Sequence, residues 1–463
     1  MKKILYFLSF FCSFISKAQT DLALIDLYPV DYASSGTVKK FYPYCHNMGT
    51  NNVNYSAMTI HWQINGGAIQ TAIPQNTTPS FLINGLKKEL NNPAMAFQVP
   101  NTPGTYPLKV WITIVGTDIN PNNDTITRMV KVIDNLPQKN VVLETFKHQA
   151  CGPCYPADTM IKNQIDIFQH YHSVGIYTYS GDAIFSADGE ALENQLGPYA
   201  HPTVVFDHFR FPGETGFGQS FGTYSGTLLL DNLFRRDEFL EPVEVSFSKL
   251  SIDKVARTLS VELSAKFYDA LSNDLRFNLY ILEDSIIGYQ ASAPNPSNYT
   301  HTRVLRTILG GTWGQASSIP SSVSAGQTAT YTFNFAVPAN FDMRMLRLVG
   351  MVQKYNASLY DRRILNSNKL LVRDYWTTPL GTNDISKNVD ITVFPNPTSQ
   401  YLNIDLSDKN VQILSLKVLS LDGKTVLETS YNPQLNIEKL ASGSYYLILS
   451  NEKASYTKMF TKN

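Results

Sequence analysis

The run Cys151-Gly152-Pro153-Cys154 follows directly on the apolar, strand-like Val141-Val142-Leu143-Glu144-Thr145-Phe146. Two cysteines at this spacing can bridge only in a tight turn that opens a helix, and a helix N-terminus stabilises a thiolate on the first of them. Pro153 and Pro156 stand where an opening helix tolerates proline. Met160, Ile161, Ile165 and Phe168 then recur at helical spacing. Further on, His201-Pro202-Thr203 precedes the apolar run Val204-Val205-Phe206. No second cysteine pair and no His-x-x-x-His accompanies the motif, so zinc is the weaker reading and no metal ligand is assigned. The bare spacing leaves thiol chemistry, or two unrelated thiols, open.

The order strand, Cys-Gly-Pro-Cys, helix, strand from Val174 to Tyr179, helix, Xaa-Pro-Thr, strand resembles thioredoxin-like domains. The resemblance implies an α/β fold over residues 137–240, with Cys151 and Cys154 as a disulfide. It implies catalytic roles for Cys151, Cys154 and Pro202, the proline facing the pair after a cis bond. Cys151 is then the exposed nucleophile and Cys154 the buried resolving thiol. The chain also departs from the family. Ala150 stands where thioredoxins carry Trp, and Thr145 where they bury an Asp. Glu144 is adjacent, on the opposite face of a strand. Lys147 and His148 read as solvated loop positions.

The chain ends carry two addresses. Lys2-Lys3 precede an apolar stretch from Ile4 to Ile15, too short to span a bilayer, and Ser16-Lys17-Ala18 fits a small-x-small cleavage site. Residues 1–18 are therefore expected to be a signal peptide, with acylation of Cys12 the weaker reading. At the other end, Val393-Phe394-Pro395-Asn396-Pro397 follows a polar linker, residues 377–388. Strands from Tyr401 to Leu406 and Leu416 to Leu421 come next, then the hairpin turn Asp422-Gly423 and the strand Gly443-Ser444-Tyr445-Tyr446-Leu447. Residues 389–463 thus read as a small all-β module. It resembles the type A C-terminal sorting domain of the type IX secretion system. That implies a Gram-negative bacterium of the Bacteroidetes type, the secretion machinery as partner, and passage across the outer membrane with the domain usually removed.

Lys and Arg together match Asp and Glu at 38 each, and charged residues are only 16% of the 463. With no basic or acidic block, nucleic acid partners are disfavoured. No segment after the signal is a candidate transmembrane helix. Four cysteines, one of them in the signal, cannot staple a scaffold. Residues 19–136 carry short alternating strands such as Met58 to Ile64, with a turn at Asn65-Gly66-Gly67. They resemble adhesion-type immunoglobulin-like domains, and that pattern puts Cys45 at an inward, inert position. Asp118-x-Asn120-x-Asn122-x-Asp124 alternates oxygen ligands as calcium loops do. Asn123 stands where such loops need Gly, and Met129 where they need Glu, so a hairpin loop is expected instead.

Residues 241–376 read as a second β-sandwich, because Leu259, Val261, Leu263, Ala265 and Phe267 alternate strictly, as do Tyr331, Phe333 and Phe335. With the Leu143-Glu144-Thr145-Phe146 start of the preceding segment and their own Val304-Leu305-Arg306, they loosely resemble, over residues 137–375, the outer-membrane-protein-28 family of the same bacteria. His301, Arg303 and Arg306 are expected at a domain interface rather than on an anionic ligand. The whole is a multidomain, mainly β chain. A surface or secreted binding protein built around a thioredoxin-like domain is the expected function. Thiol–disulfide oxidoreductase or isomerase chemistry at Cys151 and Cys154 is the alternative. No cofactor is expected.

Overall fold

The computed structural model describes residues 19–76, 79–197, 200–211, 214, 216–220, 226–376, 383–384, 391–406, 413–421, 423–450 and 455–463. The expected signal peptide, its cleavage site and most of the linker at 377–388 lie outside them. The backbone is mainly β and divides into two compact units, residues 1–134 and 135–463.

The first unit stacks two sheets. The five-stranded one runs Tyr32–Ser34, Thr125–Ile133, Gly104–Ile114, Met58–Ile64, Gln70–Ala72, and the three-stranded one runs Leu22–Tyr28, Tyr42–Asn47, Lys87–Glu89. Period-two alternation drives the stacking: Met58, Ile60 and Trp62 are buried while Thr59 and His61 are only partly so. Trp62 meets Phe41 edge-on at 5.4 Å between ring centroids. Cys45 is fully buried and free, in the core with Leu24 and Tyr55. Burial pushes its thiol far up, with Asp124 and Asp118 adding to the shift.

The second unit is built on an eight-stranded sheet. Its order is Gln219–Ser220, Thr203–Phe206, Val141–Lys147, Tyr171–Tyr177, Val304–Ile308, Asp274–Glu283, Leu346–Tyr355, Arg363–Leu371. Val141–Lys147 and Tyr171–Tyr177 are parallel, and both are buried at every position, as strands covered on two faces must be. The sheet takes strands from both sides of residue 240 in the chain, joined where Gly175 pairs with Val304. A second sheet, containing Val243–Asp253, Thr258–Phe267 and Thr328–Ala336, packs on its far half. Leu259, Val261, Leu263, Ala265 and Phe267 all point inward there, onto Phe277, Leu279, Leu348 and Val352.

Residues 391–463 form two further sheets of their own around Leu402, Leu416, Leu447 and Phe460. This segment is not isolated. Leu419, Tyr446 and Ile448 join the core made by Phe168, just after the Cys154–Gln164 helix, and Leu229, Leu230 and Leu233 of the Gly226–Asp237 helix. Tyr446 stacks on Phe234 at 4.9 Å and meets Phe168 at 5.3 Å.

Candidate functional site

The Val141–Lys147 strand delivers the chain to its C-terminal edge, where residues 148–153 turn into the Cys154–Gln164 helix. The turn closes on itself. The Cys151 N–H donates to the His148 carbonyl at 3.2 Å, and the Cys154 N–H donates to the Cys151 carbonyl at 3.3 Å. Pro153 is the helix N-cap, a position where its missing N–H costs nothing. Cys151 and Cys154 form a disulfide with Cα atoms 5.3 Å apart. The Thr203–Phe206 strand pairs Thr203 with Phe146, so the cis His201–Pro202 peptide lies at the same edge. His201 meets His148 edge-on at 5.3 Å between ring centroids.

The pair is covered. Cys151 is 5% exposed and Cys154 1%. The cover is the loop of a short hairpin, Ile286–Gly288 and Tyr299–His301. The Ala291 N–H donates to the Gln149 carbonyl at 2.8 Å. The Gln290 side chain donates to the carbonyls of Gln149 at 3.2 Å and Cys151 at 3.1 Å. The Gln149 side chain returns a bond to the Tyr289 carbonyl at 2.8 Å. Ser292 Oγ lies 3.0 Å from where a Cβ on Gly152 would stand, so glycine there lets the loop touch the turn.

Beneath the turn lies a buried ionic network. Lys147 Nζ reaches Asp158 Oδ1 at 2.5 Å, and Arg303 donates to the same oxygen at 3.0 Å and to Asp166 at 2.5 Å. The Tyr299 hydroxyl donates to Asp158 Oδ2 at 2.6 Å. Burial pushes the Asp158 carboxyl up, but Lys147 and Arg303 outweigh it and hold it well below the usual carboxylate range. Burial lowers Lys147, against the pull of Asp158. His301 is fully buried with Nδ1 2.8 Å from the Tyr177 hydroxyl, and burial beside Lys147 pushes it down to about 4. It is therefore neutral at pH 7.

Lys147 is a correction to the sequence reading: it is 2% exposed, not a solvated loop position, because Asp158 and Arg303 neutralise it inside the fold. Glu144 is also fully buried, accepting from Tyr280 at 2.9 Å with His208 Nε2 at 2.8 Å. His148 stays partly exposed, and burial beside His201 lowers its pKa. His201 Nε2 lies 2.6 Å from Glu193 Oε1. Arg303 and Arg306 are occupied internally, Arg306 facing Glu283 at 3.3 Å. Asp158 escaped the sequence reading although it stands one helical turn after Cys154, a spacing that was legible. Gln290 escaped because nothing local ties it to a turn so far back in the chain.

In the first unit, both Asp118 carboxylate oxygens are taken by backbone, Oδ2 by the Leu22 N–H and Oδ1 by the Asn120 N–H, each at 2.9 Å. Among the described residues no group of three His, Cys, Asp or Glu side chains has the arrangement of a metal site.

Residues 392–463 match the secretion system C-terminal sorting domain family. The chain is thus a type IX secretion substrate, exported to the cell surface or outer membrane or secreted, and its tail engages the secretion machinery. No helix among the described residues is long and apolar enough to cross a membrane. Among solved structures, the chain is similar to HBP35 of Porphyromonas gingivalis at 18% identity and a TM-score of 0.44, over 70% of this chain and 99% of that one. The CARDB domain of the PF1109 protein from Pyrococcus furiosus, solved with di-metal ions, is similar at 20% identity and a TM-score of 0.19, over 26% of this chain and 97% of that one. No curated protein matches the sequence.

Proposed function

We propose that this exported chain is a surface or secreted binding protein, with an immunoglobulin-like domain at 19–136 and a thioredoxin-like domain at 137–240 serving as scaffold. Cys151–Cys154 is then a standing disulfide that fixes the turn between strand and helix. The observation that carries the reading is the cover over the pair. A nucleophile in disulfide exchange needs an open approach to its sulfur, and Cys151 is 5% exposed beneath residues 289–292. A turnover assay on the reduced mature protein, with insulin disulfides as substrate and Cys151→Ser as control, tests it. The expected rate equals that of the control. Turnover well above the control sinks the scaffold reading.

A second reading is favoured by the placement of the pair at a helix N-terminus, with His201-Pro202 on the neighbouring strand end. In it the Cys151 thiolate attacks a substrate disulfide and forms a mixed disulfide. Cys154 then displaces the substrate thiol, leaving Cys151–Cys154 oxidised and the substrate reduced by two electrons. Pro202 holds the substrate chain close. Turnover that is lost in Cys151→Ser is the outcome this reading requires.

A further inference from the structure

We infer that residues 288–299 are an internal strap over the Cys151–Cys154 disulfide, and that thiols reach the pair only when the strap lifts. This deepens the standing-disulfide reading, on which it rests, by naming what keeps the pair out of reach. The base of the strap is fixed. His301 is fully buried against Tyr177, and Tyr299 is tied to Asp158 beneath the cysteine turn. The tip is held differently. It bonds to the turn through the Gln149 and Cys151 carbonyls and through the Gln149 side chain. Gln290 is 2% exposed and supplies the bonds to both carbonyls.

The strap holds little apolar surface in the core. Tyr289 is 49% exposed and Ala293 is its one buried apolar side chain, so lifting the tip strips little apolar contact from the core. Opening thus breaks mainly the polar contacts to the turn, a local event well short of unfolding. The covered edge is the backbone of residues 149–151, and the strap satisfies its carbonyls as an extended partner peptide would. When the tip is away, a small dithiol can attack. One of its thiolates opens the Cys151–Cys154 bond and its second thiol resolves the mixed disulfide. The two cysteines then hold two protons and two electrons, and the reagent closes to its own cyclic disulfide.

The test uses the full folded chain and dithiothreitol. Reduction is followed by acid quench, alkylation and mass, at urea concentrations below the unfolding transition. In wild type the rate is expected to level off at high dithiothreitol, limited by lifting of the strap, with a shallow urea dependence. Gln290→Ala and Gln290→Leu, which remove the two side-chain bonds to the Gln149 and Cys151 carbonyls and leave the Ala291 and Gln149 side-chain bonds in place, are expected to speed reduction roughly tenfold. Their melting temperature should stay close to wild type. Hydrogen exchange of the Ala291 amide in wild type gives a second readout that needs no variant: it should open with the same free energy as reduction. Variants that fold and reduce no faster than wild type overturn the strap, as does an Ala291 amide that exchanges only by global unfolding. Insulin turnover by wild type overturns the scaffold reading instead, so the two failures are separate.

Discussion

Asp124 shows what one residue does to the energetics of the first unit. It is 8% exposed, its Oδ1 has no hydrogen-bond partner among the described residues, and the charges that act on it are carboxylates, Asp118 and Asp21. Burial and those two neighbours push its carboxyl up to about 7. The folded state therefore holds a proton that the unfolded state releases at its ordinary value of 3.8. Folded-state proton uptake means stability is lost as pH rises between those two values, and the loss is complete above the upper one. Asp124→Asn should raise the melting temperature at pH 8, with the gain over wild type shrinking as pH falls toward about 4. A gain that is the same at both pH values would show that the charge is not the cause. The calcium-like spacing in the sequence found Asp118 and Asp124 but could not show where Asp118 spends its oxygens. That depends on Leu22, far away in sequence.

At the scale of elements, the joint between helix, strand and hairpin is ionic. Asp158 on the Cys154–Gln164 helix faces Lys147 at the strand end, Arg303 beyond the hairpin and Tyr299 within it. Breaking a buried pair from one side leaves its partner charge unpaired, typically at a cost of about 3–5 kcal/mol. Asp158→Asn should destabilise the second unit by roughly that order in urea unfolding. Because Asp158 is held low, the stability it brings is full above pH ~4 and declines below it as the unfolded chain takes up the proton first, until acid protonates the folded state too. Acid unfolding of wild type should therefore approach the Asn variant as pH drops. The sequence marked the turn, the helix and the strand correctly in order, because apolar periodicity and proline placement are local signals. It could not mark Lys147 as buried, since the charges that permit this come from the helix and from beyond residue 300. Cys45 was legible for the opposite reason: the immunoglobulin-like strand pattern that residues 19–136 resemble puts it inward, and it is fully buried.

For the whole molecule, address and passenger are distinct in sequence but touch in structure. The tail has its own sheets and core, so fusing residues 389–463 to a signal-bearing reporter should carry the reporter to the surface or medium in a strain with type IX secretion. It should leave the reporter periplasmic in a strain without that system. A periplasmic reporter in the competent strain would falsify the autonomy of the address. Removing the same residues from the parent uncovers Phe168, Phe234, Leu229 and Leu230. The truncated protein should still fold, melt lower and bind a hydrophobic dye. The sorting motif of the tail was legible in the sequence, and residues 392–463 match that family; the docking of Tyr446 was not, because a Tyr in a β-strand reads the same whether it faces solvent or a helix.

That docking also makes the passenger a competitor of the transport machinery. A receptor that grips the Tyr446 face can bind only the fraction of molecules whose tail has come off the Phe168 and Phe234 rings. Its apparent dissociation constant is the intrinsic one divided by that fraction, so a tail free about one part in a hundred is recognised about a hundredfold more weakly. Recognition of the edge strand Thr425–Ser430 of the same sheet is less subject to the competition, since that strand is exposed at nearly every position.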